Sequence, residues 1–209
     1  MCAQLALRDV RGLLNDLMVA LSGADGAVWF EALKKFMRKE NPWLEVTKAT
    51  VVLLKKVTTV VVPTVAEFST VVFLDDDSPV GWIGDNFKRM FGNHTESETS
   101  QSALQVHQLT ESARDPAIIA ELGGEQIAET TLGQMWQMLL VQGQGQDGNL
   151  LINGFANIFY IRSQVDNQLW AVYCRWDSGN RDWLVNAYPV SDPDDWYAGS
   201  QVFSPRFSS

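Results

Sequence analysis

The sequence predicts an α+β fold with a mainly antiparallel sheet, and three observations carry that reading. Apolar residues recur at helical spacing over the first forty positions and at strand spacing in later Val-, Thr- and aromatic-rich runs. Helices and strands come in blocks rather than as alternating βαβ units. With 209 residues, 46% of them hydrophobic, the chain is long enough to bury a core of its own.

From Val10, apolar positions 10, 13, 14, 17, 18 and 21 form one helix face, which Ser22, Gly23 and Gly26 end. Asp25 is placed to cap a second helix with Trp29, Phe30, Leu33, Phe36 and Met37 on its apolar face and Glu31 and Lys35 paired at i,i+4. Asn41-Pro42 stops it. Two such helices on a short connection predict an antiparallel hairpin that leaves Lys34, Lys35, Arg38 and Lys39 toward solvent.

Ala49–Leu54, Val57–Val62 and Ser69–Leu74 read as strands, because branched side chains suit a pleated surface. Trp82-Ile83-Gly84 leads to a short helix, Asn86 to Phe91, with Asp85 as its cap. Gly92 to Ser102 is polar and reads as a linker. The expected organisation is a helical hairpin with a small sheet over 1–91, a linker over 92–102, and an α+β domain over 103–209.

That second half opens with a strand, Ala103 to Leu109, and a short apolar run, Ala117 to Leu122. Thr131 and Gln134 form the ends of a capping box, and Leu132, Met135, Trp136, Leu139 and Leu140 make the buried stripe of one packed helix. After Asp147-Gly148 comes a meander: Ala156–Arg162, a turn at Asp166-Asn167, Leu169–Trp176, a turn at Ser178-Gly179-Asn180, then Trp183–Val190. A last strand falls around Gln201 to Phe203.

Sixteen Lys and Arg against 25 Asp and Glu give a formal charge of −9, which argues against nucleic-acid binding by the chain as a whole. The charge is uneven: residues 34–56 carry seven basic and two acidic residues, and 61–209 carry seven basic and nineteen acidic. A basic face of Lys34, Lys35, Arg38 and Lys39 beside Trp43 could meet phosphate or an acidic partner, but a solvated helix face is the simpler account, because four charges on one amphipathic helix are ordinary. No apolar run approaches the length of a bilayer span, and no leader pattern opens the chain. Cys2 and Cys174 read as two reduced thiols of a cytoplasmic protein.

Gly143, Gly145 and Gly148 match G-x-G-x-x-G, but they follow a helix and precede a strand, the reverse of a dinucleotide-binding turn. Asp192, Asp194 and Asp195, with Asp182, offer oxygen ligands to Ca²⁺, yet Asp-Pro-Asp-Asp is first of all turn chemistry. His94 and His107 sit in no known catalytic motif, and the abundance of Glu121, Glu125 and Glu129 is not geometry. No pattern requires a cofactor or a metal. Aromatic residues are the stronger signal: four of eight tryptophans fall in the last forty positions. Alternation puts Trp170, Val172, Cys174 and Trp176 on one face of their strand and Leu169, Ala171, Tyr173 and Arg175 on the other. Either both faces are covered or one binds a ligand, with Trp170, Tyr173, Trp176, Trp183 and Trp196 as the candidate residues.

Val71-Val72-Phe73-Leu74-Asp75-Asp76-Asp77 resembles the first motif of haloacid-dehalogenase-type phosphatases. The resemblance implies Asp75 as nucleophile and Asp77 as acid/base, with Mg²⁺ holding the phosphate. Pro79 stands where that family prefers Thr or Val, and no lysine follows Lys88 to bind phosphate. The run also resembles a Walker B strand, without a Walker A loop to accompany it. Over most of its length the chain resembles a group of uncharacterised proteins from uncultivated candidate-phylum bacteria. The residues that carry this are Ala32-Leu33-Lys34-Lys35-Phe36 with Asn41-Pro42-Trp43, Leu122-Gly123-Gly124, Thr131-Leu132, Gly148 with Leu150-Leu151, Asn153-Gly154, Ala156-Asn157-Ile158, Tyr160 and Arg162, Leu169-Trp170-Ala171-Val172, and Val202-Phe203-Ser204. That resemblance implies a bacterial family and transfers no site. A helix followed by a Trp-rich meander also resembles C-type-lectin-like domains, without their disulfides, and implies ligand binding. The expected function is a non-catalytic module that binds a small molecule or a protein. A hydrolase using Asp75 and Asp77 is the alternative, and nucleic-acid contact through the basic helix is a weaker one.

Overall fold

The computed structural model describes residues 7–39 and 52–206, which belong to two compact units divided at Val51/Val52. Asn41-Pro42, Trp43, Cys2 and the first half of the strand expected at 49–54 lie outside the described residues.

In the first unit α1 (Leu7–Ser22) and α2 (Gly26–Met37) meet across a three-residue connection, as the hairpin reading expects. Asp25 stands at the N-cap but uses its backbone: its carbonyl accepts from Val28 and Trp29, and its side chain caps nothing. Glu31 pairs with Lys34 at 2.7 Å, one residue short of the expected Lys35, and the same ammonium lies 4.4 Å from the Phe30 ring centre. No residue of α2 is buried; Phe30, Phe36 and Met37 are exposed, because two short helices enclose too little volume for a core.

The second unit is built on one sheet. Its elements in order are β1 (Leu54–Val62), β2 (Phe68–Ser69), a 3-10 turn (Thr70–Leu74), β3 (Val80–Ile83), α3 (Asp85–Phe91), β4 (Thr95–Glu96) and β5 (Ser102–Leu109). There follow α4 (Asp115–Leu122), α5 (Glu125–Ala128), α6 (Leu132–Val141), β6 (Asn157–Arg162), β7 (Leu169–Asp177), β8 (Asp182–Pro189) and β9 (Gln201–Pro205). Seven strands run in the order β1-β5-β9-β6-β7-β8-β3, and β2 and β4 form a separate two-stranded ribbon. The fold is α+β with a mixed sheet: β6/β9 and β3/β8 are parallel and the other four pairs antiparallel. Strand β3, in a stretch read as a lead-in to a helix, was not anticipated.

The division expected at 92–102 is corrected by the sheet, which draws β1 and β3 from one side of that segment and the remaining strands from the other. His94, Glu96 and Ser102 of that segment bond inward. The Glu96 carboxylate accepts from the backbone N–H groups of Leu132 (2.7 Å) and Gly133 (2.8 Å) at the start of α6, where orphan donors and the helix dipole favour an anion. The expected capping box completes that turn, with the Thr131 hydroxyl accepting from Gln134 N–H and the Gln134 side chain accepting from Thr131 N–H. Position 133 is glycine because a Cβ there would meet Val65 at 2.9 Å and Glu96 at 3.2 Å. His94 is buried, with Nε2 3.3 Å from the same carboxylate.

Each face of the sheet has its own cover, so more than the one expected helix packs on it. On one face Leu104, Phe203, Phe159, Val172, Trp183 and Val185 meet α6 and α3 through Met135, Trp136, Leu139, Phe87 and Phe91. On the other Ile158, Tyr160, Ala171 and Val202 meet Ile118 and Ile119 of α4 and Ala128 of α5. The alternation read from β7 holds: Trp170, Val172, Cys174 and Trp176 join the first core, and Leu169, Ala171 and Tyr173 the second.

Two further expectations change. Thr70–Leu74 is a 3-10 turn and not a strand; Phe73 anchors it, wedged against Phe87 at 5.3 Å and Trp136 at 4.8 Å, together with buried Thr70, which donates to the His94 carbonyl, while Val71 and Leu74 are exposed. The cap of α3 falls at Gly84, and Asp85 becomes its first residue.

Candidate functional site

The five aromatic candidates separate between the two faces. Trp170, Trp176 and Trp183 are core: the Trp183 indole N–H donates to Gln142 carbonyl at 3.0 Å, and that of Trp170 to Asp166 at 3.1 Å. The Trp176 ring stands edge-on to Trp183 at 5.3 Å and packs so closely on Gly145 (φ +66°) that a Cβ there would lie 2.1 Å from the ring. The glycine-rich run is therefore a packed loop, tied down by Gln142 through Gln146 and Leu150. Buried thus, these three rings offer no surface to a ligand.

Tyr173 and Trp196 lie on the opposite face, in a cleft of about 480 Å³. Four pieces of chain build it. Strands β7 and β8 supply Tyr173, Arg175 and Tyr188; the start of α4 supplies Asp115; the turn before β6 supplies Gly154 and Phe155; and residues 192–197 supply Asp192, Asp194, Asp195, Trp196 and Tyr197. Diagonal placement across the antiparallel β7/β8 pair stacks Tyr173 on Tyr188, with centres 5.6 Å apart and planes 11° from parallel. Trp196 closes the group, edge-on to Tyr173 at 5.3 Å. Its loop is fixed by reciprocal backbone bonds with Ala113, at 2.8 and 3.0 Å.

Asp115 is the floor. Only 2% exposed, it accepts from the Tyr160 hydroxyl and the Trp196 indole N–H, both at 2.7 Å and both on Oδ1. Oδ2 takes no bond from any described residue and is not among the sealed orphan atoms, so it opens on the cleft that Asp115 lines. Burial raises the Asp115 pKa to about 6 against the two hydrogen bonds, and the neighbouring Asp192 charge adds to the rise. Burial also pushes Tyr173 up to about 12. Asp192 shapes its own loop by accepting from Asp194 N–H at 3.0 Å, and Asp195 pairs with Arg114 at 3.3 Å.

The acid-based candidates are not brought together. Asp75, Asp76 and Asp77 are exposed after a 3-10 turn, with no strand end to present them as a phosphatase or Walker B motif requires. Asp182 lies at the start of β8, away from the 192–195 loop, and no group of three or more metal-binding side chains occurs among the described residues. Glu125 and Glu129 bind Arg162 at 3.3 and 2.9 Å, and Glu121 accepts from the backbone of Leu53 and Leu54. A smaller hollow of about 240 Å³ holds His107 and Ser204, with Nε2 and Oγ 3.3 Å apart. Burial and Lys56 hold His107 below its usual pKa, but both Glu121 oxygens are spent on backbone, so nothing orients the pair as a triad. Lys34, Lys35, Arg38 and Lys39 are exposed at the end of α2, as expected. Cys174 is a fully buried thiol that burial pushes far up.

Sequence reasoning missed Asp115, although Asp115-Pro116 at a helix start was a visible mark. No helix among the described residues is long and apolar enough to cross a membrane. Comparison with protein-family models, with curated proteins and with solved structures yields no match in any of the three.

Proposed function

We propose that residues 52–206 form a ligand-binding module whose small-molecule ligand occupies the cleft between Tyr173, Tyr188, Trp196 and Asp115. One observation carries this reading: a buried carboxylate with an unspent oxygen sits beneath a stacked aromatic group in a hollow large enough for a small organic molecule. On the opposite face α3 and α6 pack directly on the aromatic rings. A cytoplasmic setting and membership in the bacterial group that the sequence resembles belong to the same reading. The run Gly148 to Arg162 that carries the resemblance supplies Gly154 and Ala156 to the cleft wall and Tyr160 to Asp115.

The test is a melting-temperature screen of sugars, amines, nucleotides, amino acids and divalent ions, since whatever binds only the folded state raises Tm. It is run on the wild type and on a Phe155→Ala/Tyr197→Ala variant, whose rim rings are exposed and whose own Tm without ligand shows that it folds. A compound that stabilises the wild type and loses its effect on the variant supports the cleft. Equal stabilisation of both proteins, or none across the panel, counts against it.

A further inference from the structure

Resting on that reading, we infer that the ligand is an organic cation, a molecule carrying a protonated amine, and that Asp115 Oδ2 is its anchor. The first argument is charge. Asp115, Asp192, Asp194 and Asp195 line the cleft against a single lining cation, Arg175, and Asp195 already has Arg114. An anionic ligand would enter against this imbalance, whereas a cation reduces it.

The second argument is the spent and unspent valence of Asp115. Both neutral donors that hold it, Tyr160 and Trp196, use Oδ1, and Oδ2 is left to whatever fills the cleft. A carboxylate 2% exposed and without a cationic partner is costly to ionise, and its raised pKa reflects that. An ammonium group donating to Oδ2 supplies the missing charge and a charge-assisted hydrogen bond at once. A hydroxyl donates the bond without the charge.

The third argument is the wall. Tyr173, Tyr188 and Trp196 surround the same floor, and aromatic faces within about 6 Å attract a desolvated cation.

The experiment uses tyramine and tyrosol, which share ring and tail and differ in carrying an ammonium or a hydroxyl. The readout is the indole N–H resonance of Trp196, which bonds Asp115 directly. At about pH 7.5, tyramine should shift that resonance with affinity about tenfold higher than tyrosol. Asp115→Asn, whose amide oxygen can still accept from Tyr160 and Trp196, should erase the difference; its Tm shows that it folds. Equal affinities for the two probes in the wild type overturn the cation assignment and leave the cleft as a site for neutral ligands. A Trp196 resonance that neither probe moves overturns it too, and if the Tm screen also has no hit the underlying reading falls with it.

Discussion

The two faces of the central sheet start from the same strand and end differently. On β7, Trp170, Val172, Cys174 and Trp176 face α3 and α6, and each is buried. Leu169, Ala171, Tyr173 and Arg175 face the other way, and burial falls along the row until Arg175 is exposed. The first face is covered by α3 and α6, which bring Phe, Met and Trp onto it; on the second, Ile118, Ile119 and Ala128 of α4 and α5 pack on Ile158, Tyr160, Ala171 and Val202, while Tyr173, Tyr188 and Trp196 line the cleft. Aromatic rings stand on both faces, so it is whether helices pack over them, and not the mere presence of rings, that separates core from cleft.

Four substitutions sharpen that contrast. The largest effect is expected from Trp183→Ala. It removes a fully buried indole and its bond to Gln142, and should cost about 3–5 kcal/mol, read as a lower denaturation midpoint. Trp196→Ala, on the open face, should cost clearly less; equal losses would erase the distinction between the faces.

Next comes Asp115→Asn, which should stabilise the ligand-free protein by about 1–2 kcal/mol above pH 6, raising Tm by several degrees. The sign follows from proton uptake. With a folded pKa of about 6 against an ordinary 3.8, the native state holds more protons than the unfolded chain between those values. The ionised carboxylate therefore subtracts from stability above pH 6, and the penalty is relieved as pH falls toward 4. The advantage of the Asn variant should fade over the same window, and an advantage independent of pH would show that burial of the charge is not its cause.

The smallest effect is expected from Glu96→Gln on the filled face. It keeps the shape but removes the anion at the α6 N-terminus and should cost about 1 kcal/mol by chemical denaturation.

What was legible in the sequence was local. The alternation of β7, the Thr131/Gln134 box and the turn at Asn167, which adopts φ +57°, each depend on residues within a few positions of one another. The cleft depends on contacts across long separations: Tyr160 and Trp196 reach Asp115 from 45 and 81 positions away, and no local pattern announces them. The segment at 92–102 misled for the same reason, since polarity alone does not reveal that Glu96 serves a helix 36 residues later. At 70–74, branched residues suggested a strand, but the buried Phe73 ring and the bonds of Thr70 to the His94 carbonyl, 24 positions away, hold a 3-10 turn there.

The place of β9 has a consequence for biosynthesis. It is the last strand described, yet it lies between β5 and β6 and joins β1-β5 to β6-β7-β8-β3. Until Gln201–Pro205 has left the ribosome the sheet cannot be continuous, because β5 and β6 each lack the strand that covers their facing edges, the kind of edge that recruits foreign strands. Completion is then a single insertion that seals both halves at once. The cleft shares this timing, because Trp196 and Ser200 stand on the segment that delivers β9 to its slot.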